Sequence, residues 1–241
     1  MTRSLFAAVT LTGLVVLPVS ANPPTPAHTL KESRAVLDEL AEIPAKGIPP
    51  RLLADAQGVA IIPHVVKAGF LFAGRGGHGV VMAREKDGVW GEPTFVHFGG
   101  GSVGFQAGIE SADVVLIFRH RKGLERVLEG KGKLTLGADV AVAAGPIGRE
   151  AMAATDARLE AEVVSYSRTR GLFAGVSLDG SALVNDNVDN ALFRRDRNAE
   201  DHKLAEALRH RLTQMSGVKT VVVPGPVIVG PPVVPVVPVR P

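Results

Sequence analysis

The chain has 241 residues, with 27 Lys and Arg against 24 Asp and Glu, and a mean hydropathy of +0.19. That length holds one domain of ordinary size plus extensions, and the apolar share is enough for a sizeable core. The near-neutral charge, the scattered basic residues and the single Trp and Tyr exclude a nucleic-acid footprint, while the lack of cysteine excludes disulfides, thiolate zinc sites and a cysteine nucleophile.

Residues 1–21 follow the three-part pattern of a signal peptide. Arg3 gives the basic start, Leu5 to Leu17 the apolar run, and Val19-Ser20-Ala21 the small-residue cleavage site. The run is shorter than the ~20 residues a membrane span needs. Export is therefore expected, to a periplasmic or cell-envelope location. Residues 22–29 read as a Pro-rich linker. A capping box, Thr29 to Glu32, then predicts a helix with Val36, Leu40 and Ile43 on one face, ended by Pro44. Its polar face is mixed in charge, which favours packing on the protein over an anionic membrane. Pro49-Pro50 predicts a second, short helix closed by Gly58.

Gly58 to Met82 reads as strand, break at Pro63, strand, glycine-rich turn and strand. Its Leu71-Phe-Ala-Gly74 run, followed by Gly79, is echoed by Leu172-Phe-Ala-Gly175, followed by Gly180, which predicts two similar hairpins in one sheet system. Ser102 to Glu110 alternates as one strand, Asp113 to Phe118 is a buried strand, and Arg121 to Glu129 is a short helix stopped by Gly130. Leu134 to Ala144 alternates again, residues 148–160 read as an Ala-rich helix, and Ala161 to Ser167 pairs with Gly171 to Leu178 across residues 168–170. Asn187 to Phe193 forms a short helix. Asn198 caps a longer amphipathic one over 197–217, with Leu204, Leu208, Leu212 and Met215 on one face. The Val/Pro-rich tail over 218–241 is expected to be disordered or semi-extended.

Two motifs tempt toward enzymes. Gly74 to Gly79 and Gly99 to Gly104 both fit G-x-G-x-x-G, but strands follow them where a dinucleotide site needs a helix. Gly100 to Gly104 fits the nucleophile elbow around Ser102, and Asp113 and His120 follow in hydrolase order. Ser102 nevertheless sits in an alternating strand rather than at a strand-to-helix turn. The seven histidines, at 28, 64, 78, 97, 120, 202 and 210, form no metal motif, so no cofactor or metal is expected except one assembled in space. Lys67, Arg75, Arg168 and Arg170 flank the two glycine hairpins. If the hairpins are adjacent, these side chains make one cationic rim suited to a phosphate headgroup.

Seven runs in order then point one way: Ile48-Pro49-Pro50, Gly58 to Pro63, Lys67 to Phe70, Asp113 to Leu116, Leu134 to Gly137, Ala144-Gly145-Pro146 with Gly148-Arg149, and Tyr166-Ser167 through Gly175. Over 30–196 the chain resembles the SYLF domain, a lipid-binding domain of bacteria and of eukaryotic endocytic proteins. The resemblance implies a non-enzymatic module that binds phosphoinositides or other anionic lipids, with Arg149 joining Lys67, Arg75, Arg168 and Arg170 as lipid-binding candidates. It also implies actin binding in some eukaryotic members, which export would make an unlikely partner here. The aromatic-Tyr-Gly ending of the family is absent, since Arg194-Arg195 follow Phe193. The expected architecture is α+β, mainly an antiparallel sheet, barrel-like or sandwich, with helices at both ends. The expected function is an exported module on anionic phospholipid or a membrane surface. The alternatives are a structural envelope protein tethered by its tail and a hydrolase built on Ser102.

Overall fold

The computed structural model describes residues 23–42, 47–69, 72–103, 108–145, 161–170, 178, 180–196 and 198–217. The expected leader, the Ala-rich 148–160 segment, Arg149, residues 171–177 of the second hairpin and the Val/Pro tail lie outside them. The described residues form five helices and an eight-stranded sheet, an α+β architecture as expected.

The chain enters through α1 (Pro26–Glu42), which starts earlier than the Thr29 capping box predicts. The Thr25 hydroxyl accepts a hydrogen bond from the His28 N–H at 3.3 Å, and Pro26 occupies the first helical position. Thr-Pro is thus the actual start signal, because a proline there lacks only an N–H that would be unpaired anyway. After α2 (Pro50–Asp55) come the long strands β1 (Gly58–Gly69) and β2 (Phe72–Ala83). Pro63 does not break β1. The register shifts by one residue between Ile62 and Val65, and His64 takes φ 49° there, so the strand continues through a bulge. Nor is the glycine run a turn: Gly74 to Gly79 lies inside β2, paired with β1 and β3 (Thr94–Val103). Gly79 is there because a Cβ would meet the Ile61 carbonyl oxygen at 2.3 Å and the Ile62 Cα at 2.9 Å.

The alternating Ser102–Glu110 stretch is not one strand. β3 ends at Val103 and β4 (Gly108–Phe118) begins five residues later. Helix α3 (Lys122–Leu128) ends at Gly130, at φ 67°, as its sequence predicts. Leu134–Ala144 also divides, into β5 (Lys133–Thr135) and β6 (Val142–Ala144) around Gly137 at φ 85°. β7 (Val163–Arg170) continues through residues 168–170, where a hairpin turn was expected. β8 (Ala182–Asn185), α4 (Asn187–Asp196) and α5 (Ala199–Met215) complete the fold. The Asn198 side chain accepts from the Glu200 N–H at 3.0 Å, confirming the predicted cap.

The strand order is β5-β8-β3-β2-β1-β4-β7-β6, antiparallel except for β6 with β7. The two outermost strands are therefore near neighbours in sequence. Laid flat, eight strands span roughly 34 Å from first to last. Residues 136–141, fully extended, bridge at most roughly 25 Å. They are far from extended, since Leu136 and Val140 form a bridge. The sheet must curl until its borders approach, which makes it barrel-like.

Alternation along the strands then gives two cores. On the outer face Val59, Ile61, Val80, Met82, Phe95, Val115 and Ile117 pack under α1, α2, α4 and α5, with Leu37, Leu53, Leu208 and Leu212 fully buried. Inside the curl Ala60, Ile62, Val81, Val96, Phe98, Leu116 and Phe118 meet Leu124 and Val127 of α3 and Leu136 and Val140 of the linking segment. Arg84 locks α2 to the sheet: its Nε donates to the Ala56 carbonyl at 3.0 Å and Nη2 to that of Leu53 at 3.1 Å, and its guanidinium lies 4.2 Å from the Trp90 ring centre. No described helix is long and apolar enough to cross a membrane.

Candidate functional site

The cations nominated by sequence sit near one end of the sheet, where β1, β3 and β7 finish and β2 and β4 begin. They do not share a face. Lys67 stands in register between Arg75 on β2 and Glu110 on β4, all three on the inner face that carries Val65 and Ala112. Arg75 is 8% exposed. Arg168 belongs to the outer face, in register with the buried Asp113, and its Nη1 donates to Glu39 Oε2 of α1. Arg170 ends β7 opposite Ser111. The single expected rim is thus divided between the two sides of the sheet. Ser102 lies near the same end, level with Ala73, whereas His120 follows β4 at the far end. About twelve strand residues, roughly 40 Å, separate the two levels. The hydrolase arrangement of Ser102 and His120 is not formed.

A different constellation appears on the outer face. A groove of about 450 Å³ runs between the start of α1 and the strands, over Gly76 and Gly77, where the lack of side chains leaves room. Four of the seven histidines line it: His28, His64, His78 and His97. At one wall the bulge aims His64 at α1. Its Nε2 lies 3.0 Å from Glu32 Oε2, and its backbone N–H donates to Asp113 Oδ1 at 3.0 Å. At the other wall His78 and His97 are direct cross-strand partners on β2 and β3, with ring centres 4.8 Å apart, edge to face. His97 Nε2 lies 2.9 Å from Oδ2 of Asp186, the residue between β8 and α4. The other oxygen of Asp186 accepts the N–H groups of Val188 at 3.1 Å and Asp189 at 3.0 Å, capping α4 and fixing the carboxylate's direction. Burial, and then the neighbouring His97, lower the pKa of His78 against the opposing pull of Asp186. Burial and the Asp186 charge push Asp189 up to about 6.

His78, His97 and Asp186 each place one ligand-type atom within 4.8 Å of the others, so they are described residues that could hold a metal ion together. Sequence reading missed them because nothing local marks them: nineteen positions separate the two histidines, and the sheet register alone makes them neighbours. The available signal was one histidine in each of two strands made mostly of apolar residues and glycine.

The family model described as "Ysc84: Las17-binding protein actin regulator" matches residues 99–219. Two similar proteins are the SH3 domain-containing YSC84-like protein 1 of Xenopus laevis and of Homo sapiens. Each is 41% identical over 180 residues, 71% of this chain and 53% or 52% of the relative. LAS seventeen-binding protein 3 of Saccharomyces cerevisiae is 45% identical over 151 residues, 62% of this chain and 32% of its own length. The chain thus spans about half the length of the animal relatives it matches, and a third of the yeast one. No solved structure matches it. With the curled sheet, the glycine-rich β2 and these likenesses together, the chain belongs to the Ysc84 family, whose domain is the SYLF domain.

Proposed function

We propose that the chain is a non-enzymatic binding module that docks on an anionic phospholipid surface through the glycine-rich end of its sheet, and that residues 1–21 direct its export. One observation carries the docking: strands β3, β2, β1, β4 and β7 all end or begin there, bringing Lys67 and Arg170 within a few residues of that border. Each basic residue near an anionic bilayer adds about 1 kcal/mol, so Lys67 and Arg170 give weak, salt-sensitive attachment that strengthens when several copies bind one vesicle, while Arg75 lies too deep to count. Glycines beside them let the backbone approach headgroups closely. Arg168 is left out of this surface by its pairing with Glu39. Flotation with vesicles of phosphatidylglycerol and phosphatidylcholine tests the reading. Recovery should rise with the anionic fraction, fall with salt, and drop several-fold in the Lys67→Ala/Arg170→Ala variant. Recovery near zero on both anionic and neutral vesicles sinks it.

A second reading rests on the relatives' names, which point to a protein partner of the actin-regulating class. Sedimentation with filamentous actin separates the two. Filament binding by a chain that ignores vesicles selects the protein partner, and vesicle binding without filament binding selects the membrane.

A further inference from the structure

We propose that His78, His97 and Asp186 form a site for a divalent first-row transition cation of the zinc class, with one coordination position open to the groove. Two neutral imidazoles and a carboxylate are the donor set such ions favour, and three protein ligands plus an open position is the usual pattern of an accessible site. The backbone already supplies most of the geometry. The histidines face each other across paired strands, and Asp186 is held from behind by two N–H groups, leaving its second oxygen for the site. Donor atoms around a tetrahedral zinc ion lie about 3.3 Å apart. His97 Nε2 and Asp186 Oδ2, at 2.9 Å, are within a small adjustment of that edge. The third donor, on His78, closes from no more than 4.8 Å. The His97 side chain is 48% exposed, so its ring can turn.

A second, independent observation points to the same place. His78 Nδ1 is buried and accepts or donates no hydrogen bond among the described residues. A buried polar atom left in that state costs about 1–3 kcal/mol, a cost that an ion bound at that nitrogen removes. Binding replaces the His97–Asp186 hydrogen bond with the cation, and the His97 proton moves from Nε2 to Nδ1, so the imidazole stays neutral. The bound ion ties β2, β3 and the corner before α4 into one unit, and the groove supplies water or an anionic ligand atom for the open position.

The experiment is calorimetric titration of the full, tag-free chain with zinc chloride in a non-chelating buffer, without vesicles, so its outcome is independent of lipid binding. One equivalent should bind, and zinc should raise the melting temperature. His78→Ala and His97→Ala should each weaken binding about tenfold or more, whereas His210→Ala on the exposed face of α5 should leave it unchanged. If either alanine variant fails to fold, His97→Gln, which keeps a polar neighbour for Asp186, carries the test. X-ray absorption of the loaded protein should show imidazole nitrogens around the metal. No stoichiometric uptake, uptake unchanged in the His78 and His97 variants, or loss only on His28→Ala or His64→Ala overturns the site.

Discussion

Replacing Asn190 by Ala tests the joint between α4 and the sheet. Asn190 is 3% exposed, and its amide acts as a short extra strand beside Phe95. Oδ1 accepts the Phe95 N–H at 2.9 Å, and Nδ2 donates to the Phe95 carbonyl at 2.9 Å and to Asn185 Oδ1 at 3.1 Å. The Phe95 carbonyl keeps a second donor, the Asp186 N–H at 2.9 Å, so its loss is small. The Phe95 N–H is left buried with nothing to bond, at about 1–3 kcal/mol, and the Asn185 side chain loses a bond of about 1 kcal/mol. Against this, Ala is the better helix former by roughly 0.5 kcal/mol. The net expectation is a loss of about 2–3 kcal/mol. Urea unfolding followed by the fluorescence of Trp90, the one tryptophan and 1% exposed, measures it. A loss under about 1 kcal/mol would show that water or backbone movement satisfies Phe95, and that α4 is not held as described. Asn190→Asp is the control: it restores the acceptor for Phe95 but sets a carboxylate against two oxygens, so it should not rescue stability.

Other expectations use the same assay. Gly79→Ala forces a methyl against the Ile61 carbonyl and should cost about 2–3 kcal/mol, whereas Gly74→Ala, with nothing within 4 Å, should stay within about 0.5 kcal/mol of wild type. Arg84→Lys cannot serve both the Ala56 and Leu53 carbonyls while stacking on Trp90, and should cost about 1–2 kcal/mol with a shift in Trp90 emission. Burial pushes the Tyr166 phenol well above its usual 10. A raised folded value means stability is kept below pH 10 and lost as pH climbs past it. Urea midpoints should therefore fall more steeply above pH 10 in the wild type than in Tyr166→Phe.

What the sequence made legible was local. Helix α3 announced its stop through Gly130, α5 its start through Asn198, and the period-two runs marked the sheet. What stayed hidden depended on pairing. The alternation from Ser102 to Glu110 persists in the sequence although β3 ends at Val103 and β4 starts at Gly108, because the period alone does not report where a chain reverses. The Leu134–Ala144 pattern hid a division for the same reason, with its halves hydrogen-bonding to different strands. The glycines of β2 looked like a turn, since the steric demand that keeps Gly79 bare comes from Ile61 and Ile62 on another strand. The cations were read as one group because proximity in sequence to glycine does not say which side of a sheet a residue takes. Lys67 and Arg168 take opposite sides because β1 passes through a bulge that changes its parity at His64.

The link between β5 and β6 works as the clasp on a bracelet. Each of those border strands is three residues long, and the same short stretch, 136–141, joins one to the other through the Leu136–Val140 bridge. Cleavage at 137–139 would open the clasp and let the two borders part in one event. A molecule nicked there should become self-adhesive, polymerising margin to margin, while its helices stay attached.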